Sequence, residues 1–159
     1  MKVILSSEQL QLTVKRLSYQ LIEQHYPFND AVFVGLQPRG VFLADRIVTS
    51  IKEVYPGLAL QYGKLDITFY RDDLHKELHI ANQTTINFSI ENKTVILIDD
   101  VLYTGRTIRA AMDALIDFGR PAKVELCVLV DRRFNRQLPI QPDYTGKAID
   151  SILSQKVTV

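Results

Sequence analysis

The sequence predicts a single α/β domain over residues 1–159, with a mainly parallel, twisted sheet flanked by helices and a flexible hairpin arm. Three observations carry that prediction. Short runs of strand formers alternate with stretches of helical spacing. The runs at 31–36, 94–98 and 124–130 are predominantly apolar instead of alternating, with Glu125 the one charged residue among them, as expected of strands covered on both faces. A polar, charged stretch from Arg71 to about Asn92 then interrupts the pattern, with only isolated apolar residues such as Ile80, Ile86 and Phe88.

Taken in order, Ser6 or Ser7 caps a first helix running to about Gln24, with Leu10, Val14, Leu17, Leu21 and Ile22 at near-helical spacing. Pro27 ends it, and Asp30 leads into the first strand. After Gln37-Pro38-Arg39-Gly40, residues 41–53 return to helical spacing through Val41, Ala44, Ile47, Val48 and Ile51. Pro56-Gly57 is a turn. Residues 58–70 read as extended: Leu58, Leu60 and Tyr62 alternate, and Leu65, Ile67 and Phe69 continue after a break at Gly63. The strand at 94–98 is followed by an amphipathic helix over 105–118, stopped by Gly119 and Pro121, and then by the strand at 124–130.

Composition narrows the function classes. Nineteen basic residues against 18 acidic ones leave a net charge of +1, so the chain is no polycation built for nucleic acid, and any RNA contact requires a local patch. Cys127, the single cysteine, lies in an apolar run and reads as a buried, inert thiol. The N-terminus turns polar at Ser6-Ser7, too soon for a secretory signal, and no apolar stretch approaches the ~18 residues of a membrane span. A cytoplasmic, non-membrane protein is expected.

The chemistry concentrates in one segment. The apolar strand Val95-Ile96-Leu97-Ile98 runs into Asp99-Asp100, and Val101-Leu102-Tyr103-Thr104-Gly105-Arg106-Thr107 then opens a helix. Ligands of open α/β sheets bind at the carboxyl ends of strands, which places both acids in the expected crevice. Carboxylates accept from a vicinal pair of ribose hydroxyls. Gly105 lets backbone approach a phosphate, and the N–H groups of residues 103–107 with both threonine hydroxyls donate to it. Helix capping alone needs one acidic residue, not this combination. Neither a Walker loop nor a Gly-x-Gly-x-x-Gly fingerprint occurs.

The stretch 95–107 resembles the signature of type I phosphoribosyltransferases. The continuation through Met112-Asp113-Ala114-Leu115, Gly119-Arg120-Pro121, Leu129-Val130-Asp131-Arg132 and Leu138-Pro139-Ile140, together with Asp66-Ile67-Thr68-Phe69-Tyr70-Arg71-Asp72-Asp73, resembles the PyrR family. That resemblance implies a type I phosphoribosyltransferase fold and conversion of uracil and phosphoribosyl pyrophosphate to UMP and pyrophosphate. It also implies a dimer-based homo-oligomer and, in some members, an RNA-binding attenuator of pyrimidine genes.

The resemblance assigns roles as well. Pro38, Arg39 and Gly40 form the pyrophosphate loop, and residues Asp99, Asp100, Val101, Leu102, Tyr103, Thr104, Gly105, Arg106 and Thr107 bind the rest of the donor. Backbone groups near Val130 and the side chain of Arg132 form part of the base pocket, meeting the pyrimidine or the pyrophosphate. Tyr70, Arg71, Asp72 and Asp73 belong to a flexible loop that closes over the site, for which a plain surface hairpin is the alternative. Mg²⁺ is expected on the donor's pyrophosphate and ribose hydroxyls, with Asp99 and Asp100 as its ligands directly or through water. Asp100 and Arg39 are the expected catalytic residues. The Gln37–Pro38 bond is a candidate cis peptide.

Other readings are blander. His75 and His79 have ligand spacing, but without an evident third ligand no metal site is expected there. The segment Arg132-Arg133-Phe134-Asn135-Arg136 is about one residue longer than the Arg-Gly-His-Arg usual in the family, and Arg133 and Arg136 read as a solvated basic loop. At the positions aligned with the family's RNA contacts this chain carries Lys15, Tyr19 and Gln24, with Arg16, Arg132, Arg136 and Lys147 as further sources of positive surface. A purine phosphoribosyltransferase and a non-catalytic nucleotide sensor are the remaining alternatives.

Overall fold

The computed structural model describes residues 2–70, 84–150 and 156–159. Helix α1 (Ser7–His25) begins at a capping box: Gln9 N–H donates to the Ser6 hydroxyl at 3.2 Å, and the Ser6 N–H donates to Gln9 Oε1 at 2.9 Å. Strand β1 (Ala31–Leu36) is buried along its whole length and leads to helix α2 (Gly40–Val54). Strand β2 (Tyr62–Leu65), strand β3 (Thr94–Leu102), helix α3 (Arg106–Leu115), strand β4 (Lys123–Arg133) and strand β5 (Tyr144–Asp150) follow.

All four strand pairings are parallel and the sheet order is β2-β1-β3-β4-β5. Successive strand residues face opposite sides, so each apolar strand serves two cores. Phe33, Ile96 and Ile98 pack with Leu17 and Leu21 of α1 and Ile47 and Ile51 of α2. Val32, Val34, Val95 and Leu97 pack with Ile108, Ala111 and Leu115 of α3. The α2 crossover thus covers one face and the α3 crossover the other, and the two diverge from neighbouring strands β1 and β3. In this strand order that point of divergence is where the ligand crevice of an open sheet lies.

Several boundaries differ from the sequence expectation. The extended segment expected over 58–70 contains only the short β2. Gly63 is no break in it. The glycine pairs with Val34, and a β-carbon there would come within 2.9 Å of the Thr85 carbonyl, where Lys64 and Thr85 form an antiparallel bridge. Asp66 then turns the chain, its Oδ1 accepting from the Thr68 N–H and hydroxyl at 3.1 and 2.6 Å, into a 3-10 turn at Thr68–Tyr70. Strands β3 and β4 run past their apolar cores, so both acids and Asp131-Arg132 lie inside strands. The helix expected over 105–118 is α3 followed by a 3-10 turn at Ile116–Phe118.

Strand β5 has no apolar signature because it is an edge strand containing Gly146, Lys147 and Asp150. It reaches its parallel register through the non-helical crossover after β4, and Asp143 N–H donates to the Leu126 carbonyl just before the strand begins. Among the described residues no helix is long and apolar enough to cross a membrane.

Candidate active site

Three loops meet at the carboxyl edge of β1, β3 and β4. The register sets Gly35 beside Ile98, Val101 beside Val130 and Leu102 beside Asp131. Asp99 and Asp100 are both buried, at 7% and 8% exposure. Burying two adjacent carboxylates is costly unless they accept hydrogen bonds. Here each takes one from the backbone that follows it: Asp100 N–H donates to Asp99 Oδ1 at 2.8 Å, and Val101 N–H to Asp100 Oδ1 at 2.7 Å. The β3–β4 register skips Asp100 at this point. Side-chain parity changes with it, since Leu97 and Leu102 pack on the α3 side while Ile98 and Val101 pack on the α1/α2 side. The acidic pair therefore sits at a local interruption of the ladder, a device that re-aims side chains next to sites.

Tyr103 to Gly105 carry the chain from β3 into α3. Thr104 Oγ1 accepts from Arg106 N–H at 3.3 Å, and Gly105, at φ +96°, begins the helix. That left-handed conformation is cheap only for glycine. Among the described residues neither Gly105 at the start of α3 nor Arg39 at the start of α2 caps its helix with a side chain, neither helix has an acidic residue in its first turn, and the one side-chain bond to the first turn of α3 is the long one to Thr104. Helix α1, by contrast, is fully capped. Two helices with open N-termini thus flank the acidic pair, and such ends attract anions through their N–H groups and macrodipole. Pro38 and Arg39 are exposed, Gly40 is buried, and the Gln37–Pro38 bond is cis.

A cavity of about 360 Å³ opens over the β3–α3 loop, lined by Asp99, by the loop from Val101 to Ile108 and by Gln137. The expected residues Asp99 and Val101 to Thr107 are thereby brought together. Asp100 adjoins them in sequence, and Gly40 lies against Asp99. Val130 is packed in the α1/α2 core. Arg132 is buried at the end of β4, with its guanidinium carbon 4.0 Å from the centre of the Tyr103 ring. Tyr70 donates its hydroxyl to Asp117 on the α3 side. Arg71, Asp72 and Asp73, like His75 and His79, lie outside the described residues.

The basic loop is corrected by the structure. Arg133 is half-exposed and pairs with Asp150, but Arg136 is not solvated. Its side chain is only 20% exposed and its Nη2 lies 2.7 Å from Asp131 Oδ1. Gln137, which sequence reasoning passed over, lines the cavity and accepts from Arg106 Nε at 2.6 Å. Arg136 ends the segment that stands for the family's Arg-Gly-His-Arg, and Gln137 lies between it and Leu138-Pro139-Ile140; residue identity gave neither one its partner.

Comparison with known proteins agrees with this geometry. Residues 2–158 match the phosphoribosyl transferase domain family. The chain is 50% identical to the Bifunctional protein PyrR of Mannheimia succiniciproducens, covering 99% of this chain and 90% of that protein. It is 47% identical to the Bifunctional protein PyrR of Latilactobacillus sakei, covering 99% and 89%. The chain belongs to the PyrR family. Among solved structures, a hypoxanthine phosphoribosyltransferase from Staphylococcus aureus matches with a TM-score of 0.74 and 26% identity, over 95% of this chain and 79% of that one. The fold of this PyrR-family chain is that of the type I phosphoribosyltransferases, and its acidic strand end and glycine-opened helix are the parts that distinguish it from a generic α/β turn.

Proposed function

We propose that this chain, read as one phosphoribosyltransferase domain over residues 1–159, transfers the ribose 5-phosphate of phosphoribosyl pyrophosphate to N1 of uracil, giving UMP and pyrophosphate. The single observation that supports it most is the acidic pair held between two uncapped helix N-termini at the β1/β3 divergence. One N-terminus suits the 5-phosphate, the other the pyrophosphate, and the carboxylates between them suit ribose hydroxyls.

The N–H groups of the β3–α3 loop and the hydroxyls of Thr104 and Thr107 would grip the 5-phosphate. Asp99 and Asp100 would accept the ribose hydroxyls and stabilise positive charge at C1 as its bond to pyrophosphate oxygen breaks. Arg39, exposed at the start of α2, would pair with the departing pyrophosphate. Uracil N1 then bonds to C1 and loses its proton. Val130 and Arg132 border the base side.

The donor set also fits Mg²⁺. Two buried carboxylates are present, and among the described residues no group of three or more His, Cys, Asp or Glu side chains forms a protein-only cage. Mg²⁺ is ordinarily held by one or two carboxylates together with substrate phosphates. When bound it would supply charge neutralisation for the leaving pyrophosphate.

The test is pyrophosphate release with uracil, hypoxanthine and guanine supplied separately, since the similar solved structure named above acts on a purine base. Uracil-dependent release, lowered about 100-fold or more by Asp100→Asn, is expected. Full turnover by that variant would remove Asp100 from the mechanism, and a preference for hypoxanthine would replace uracil as the substrate.

A second role is favoured by the word bifunctional in the relatives' names. We infer an attenuator that binds RNA as a homodimer in response to UMP. Lys15 and Tyr19 are exposed on α1 and line a groove of about 660 Å³ with Arg46 of α2. Arg132 and Arg136 do not add free positive surface, because one is buried and the other is ion-paired. Arg16 donates to the Thr145 and Gly146 carbonyls. Gel retardation of a pyrimidine-gene leader RNA, repeated at rising salt with and without UMP, tests this role. Absence of a UMP-dependent shift would exclude it.

A further inference from the structure

We propose that Arg136 is a positioning residue that holds the phosphate-gripping loop in its binding shape, an inference that rests on the proposed reading of that loop. The guanidinium of Arg136 joins three pieces of the fold. Its Nη2 pairs with Asp131 Oδ1 at 2.7 Å, anchoring it to the end of β4. Its Nη1 donates to the Tyr103 carbonyl at 2.5 Å and more weakly to the Arg132 carbonyl at 3.4 Å. Its Nε donates to the Ile140 carbonyl at 2.8 Å. Only arginine offers donors in a rigid fork that can meet a carboxylate and separate carbonyls at once.

The chain continues the same bracing. Gln137 and Leu138 N–H groups donate to the Thr104 carbonyl at 2.8 and 3.3 Å. The space beside Gly105 is closed by Leu138 and Ile140. The carbonyls of Tyr103 and Thr104 are therefore both turned toward the crossover after β4. In a trans peptide the N–H points opposite to the C=O, and among the described residues the cis bonds lie elsewhere, before Pro27 and Pro38. The N–H groups of Thr104 and Gly105 are consequently aimed away from the crossover, as a pair. Fixing the carbonyls fixes the donors. Arg136 thus acts on a bound phosphate through the backbone of the loop, without touching it.

Such a role has a ligand signature. Binding of the 5-phosphate is shared by the ground state and the transition state, so its loss raises KM and leaves kcat at saturation nearly unchanged. Arg136→Met is expected to raise KM for phosphoribosyl pyrophosphate, and Kd for UMP and ribose 5-phosphate, by about 10- to 100-fold, the scale of one or two hydrogen bonds to a charged group. The Kd for inorganic pyrophosphate, assigned to the other helix N-terminus, is expected to stay within about 2-fold. Arg136→Lys, which can keep the ion pair but not the fork, should show the same pattern. If the methionine variant does not fold, Asp131→Asn, which removes the anchor and keeps the arginine, should show the pattern at smaller size.

Unchanged ribose 5-phosphate binding in the folded variants overturns the proposal, and so does equal weakening of ribose 5-phosphate and pyrophosphate. A wild-type chain that binds ribose 5-phosphate but does not turn over uracil ends the uracil reading and leaves the Arg136 comparison intact. One that does not bind ribose 5-phosphate ends the proposal itself.

Discussion

Gly40 lies against Asp99 with no room for a side chain: a β-carbon on Gly40 would fall 2.5 Å from the Ile98 carbonyl oxygen, 3.0 Å from Asp99 Cα and 3.2 Å from Asp99 Oδ1. The first residue of α2 is thereby seated on the backbone of β3, and the loop before it is set beside the acidic pair. The obstruction is mostly main chain, which cannot rotate aside. Gly40→Ala is expected to push the two loops apart while leaving the sheet in place. A displacement near 1 Å is enough to cost about 100-fold in kcat/KM. A pyrophosphate-release assay beside a thermal melt checks this: near wild-type activity in the alanine variant would show that the close approach does not position the site.

How far the sequence led depends on where each interaction is encoded. The strands and the acidic pair were legible because their signal is local: an uninterrupted apolar run, then Asp99-Asp100 and a glycine opening a helix, all within one segment. The glycine-opened start of α3 was legible for the same reason. Strand β5 was not, because an edge strand with Gly146 lacks the apolar run, and Gly146 is required by the nearness of the Leu129 carbonyl and the Thr13 methyl, both distant in sequence. Arg136 was misread as solvated because two of its main acceptors are the carbonyls of Tyr103 and Ile140. Main-chain acceptors leave no trace in residue identity.

Phe134 adopts φ +73° and is 79% exposed. A bulky residue in the left-handed region costs about 1–2 kcal/mol, and the exposed ring recovers part of that only through the Arg133 guanidinium, 5.3 Å from its centre, a contact worth about 0.5 kcal/mol at an exposed site. Glycine relieves the strain, although it returns roughly 0.5–1 kcal/mol of backbone entropy to the unfolded chain. Phe134→Gly is therefore expected to stabilise by a few tenths of a kcal/mol at most. Urea melts of the two chains check the sign, and a clear loss of stability would mean that the ring's contacts, that with Arg133 among them, outweigh the strain.

Cys127 is fully buried in the α1/α2 core, and burial pushes its thiol up to about 12. The thiolate is the reactive form, so the native protein is expected to resist an aromatic disulfide reagent near pH 8. One equivalent should react only after denaturation. Rapid labelling of the native chain would show that the core around Cys127 opens locally.

Glu125, in β4, accepts from Tyr144 OH at 2.8 Å, lies 2.6 Å from His25 Nε2 and pairs with Lys123 at 3.1 Å. Burial by itself pushes its carboxyl upward, but the hydrogen bonds from His25, Tyr144 and Lys123 outweigh burial and hold it below the ordinary glutamate value of 4.5. A carboxyl lowered by folding stabilises the native state fully above that ordinary value. The contribution fades as pH falls through the lower native value, because the unfolded chain then binds the proton first. Glu125→Gln cannot titrate, loses the ion pair with Lys123 and offers His25 and Tyr144 a weaker acceptor. It is expected to be less stable than wild type at neutral pH by about 1–3 kcal/mol, the cost of leaving buried partners poorly matched. The gap should narrow below pH 4.5, where wild type loses the contribution and the variant has none to lose. Urea midpoints across an acid series read both the offset and its closure. Parallel curves down to the acid limit would mean that the native carboxyl titrates no lower than the unfolded one, and that the His25–Glu125–Tyr144 cluster does not lower it.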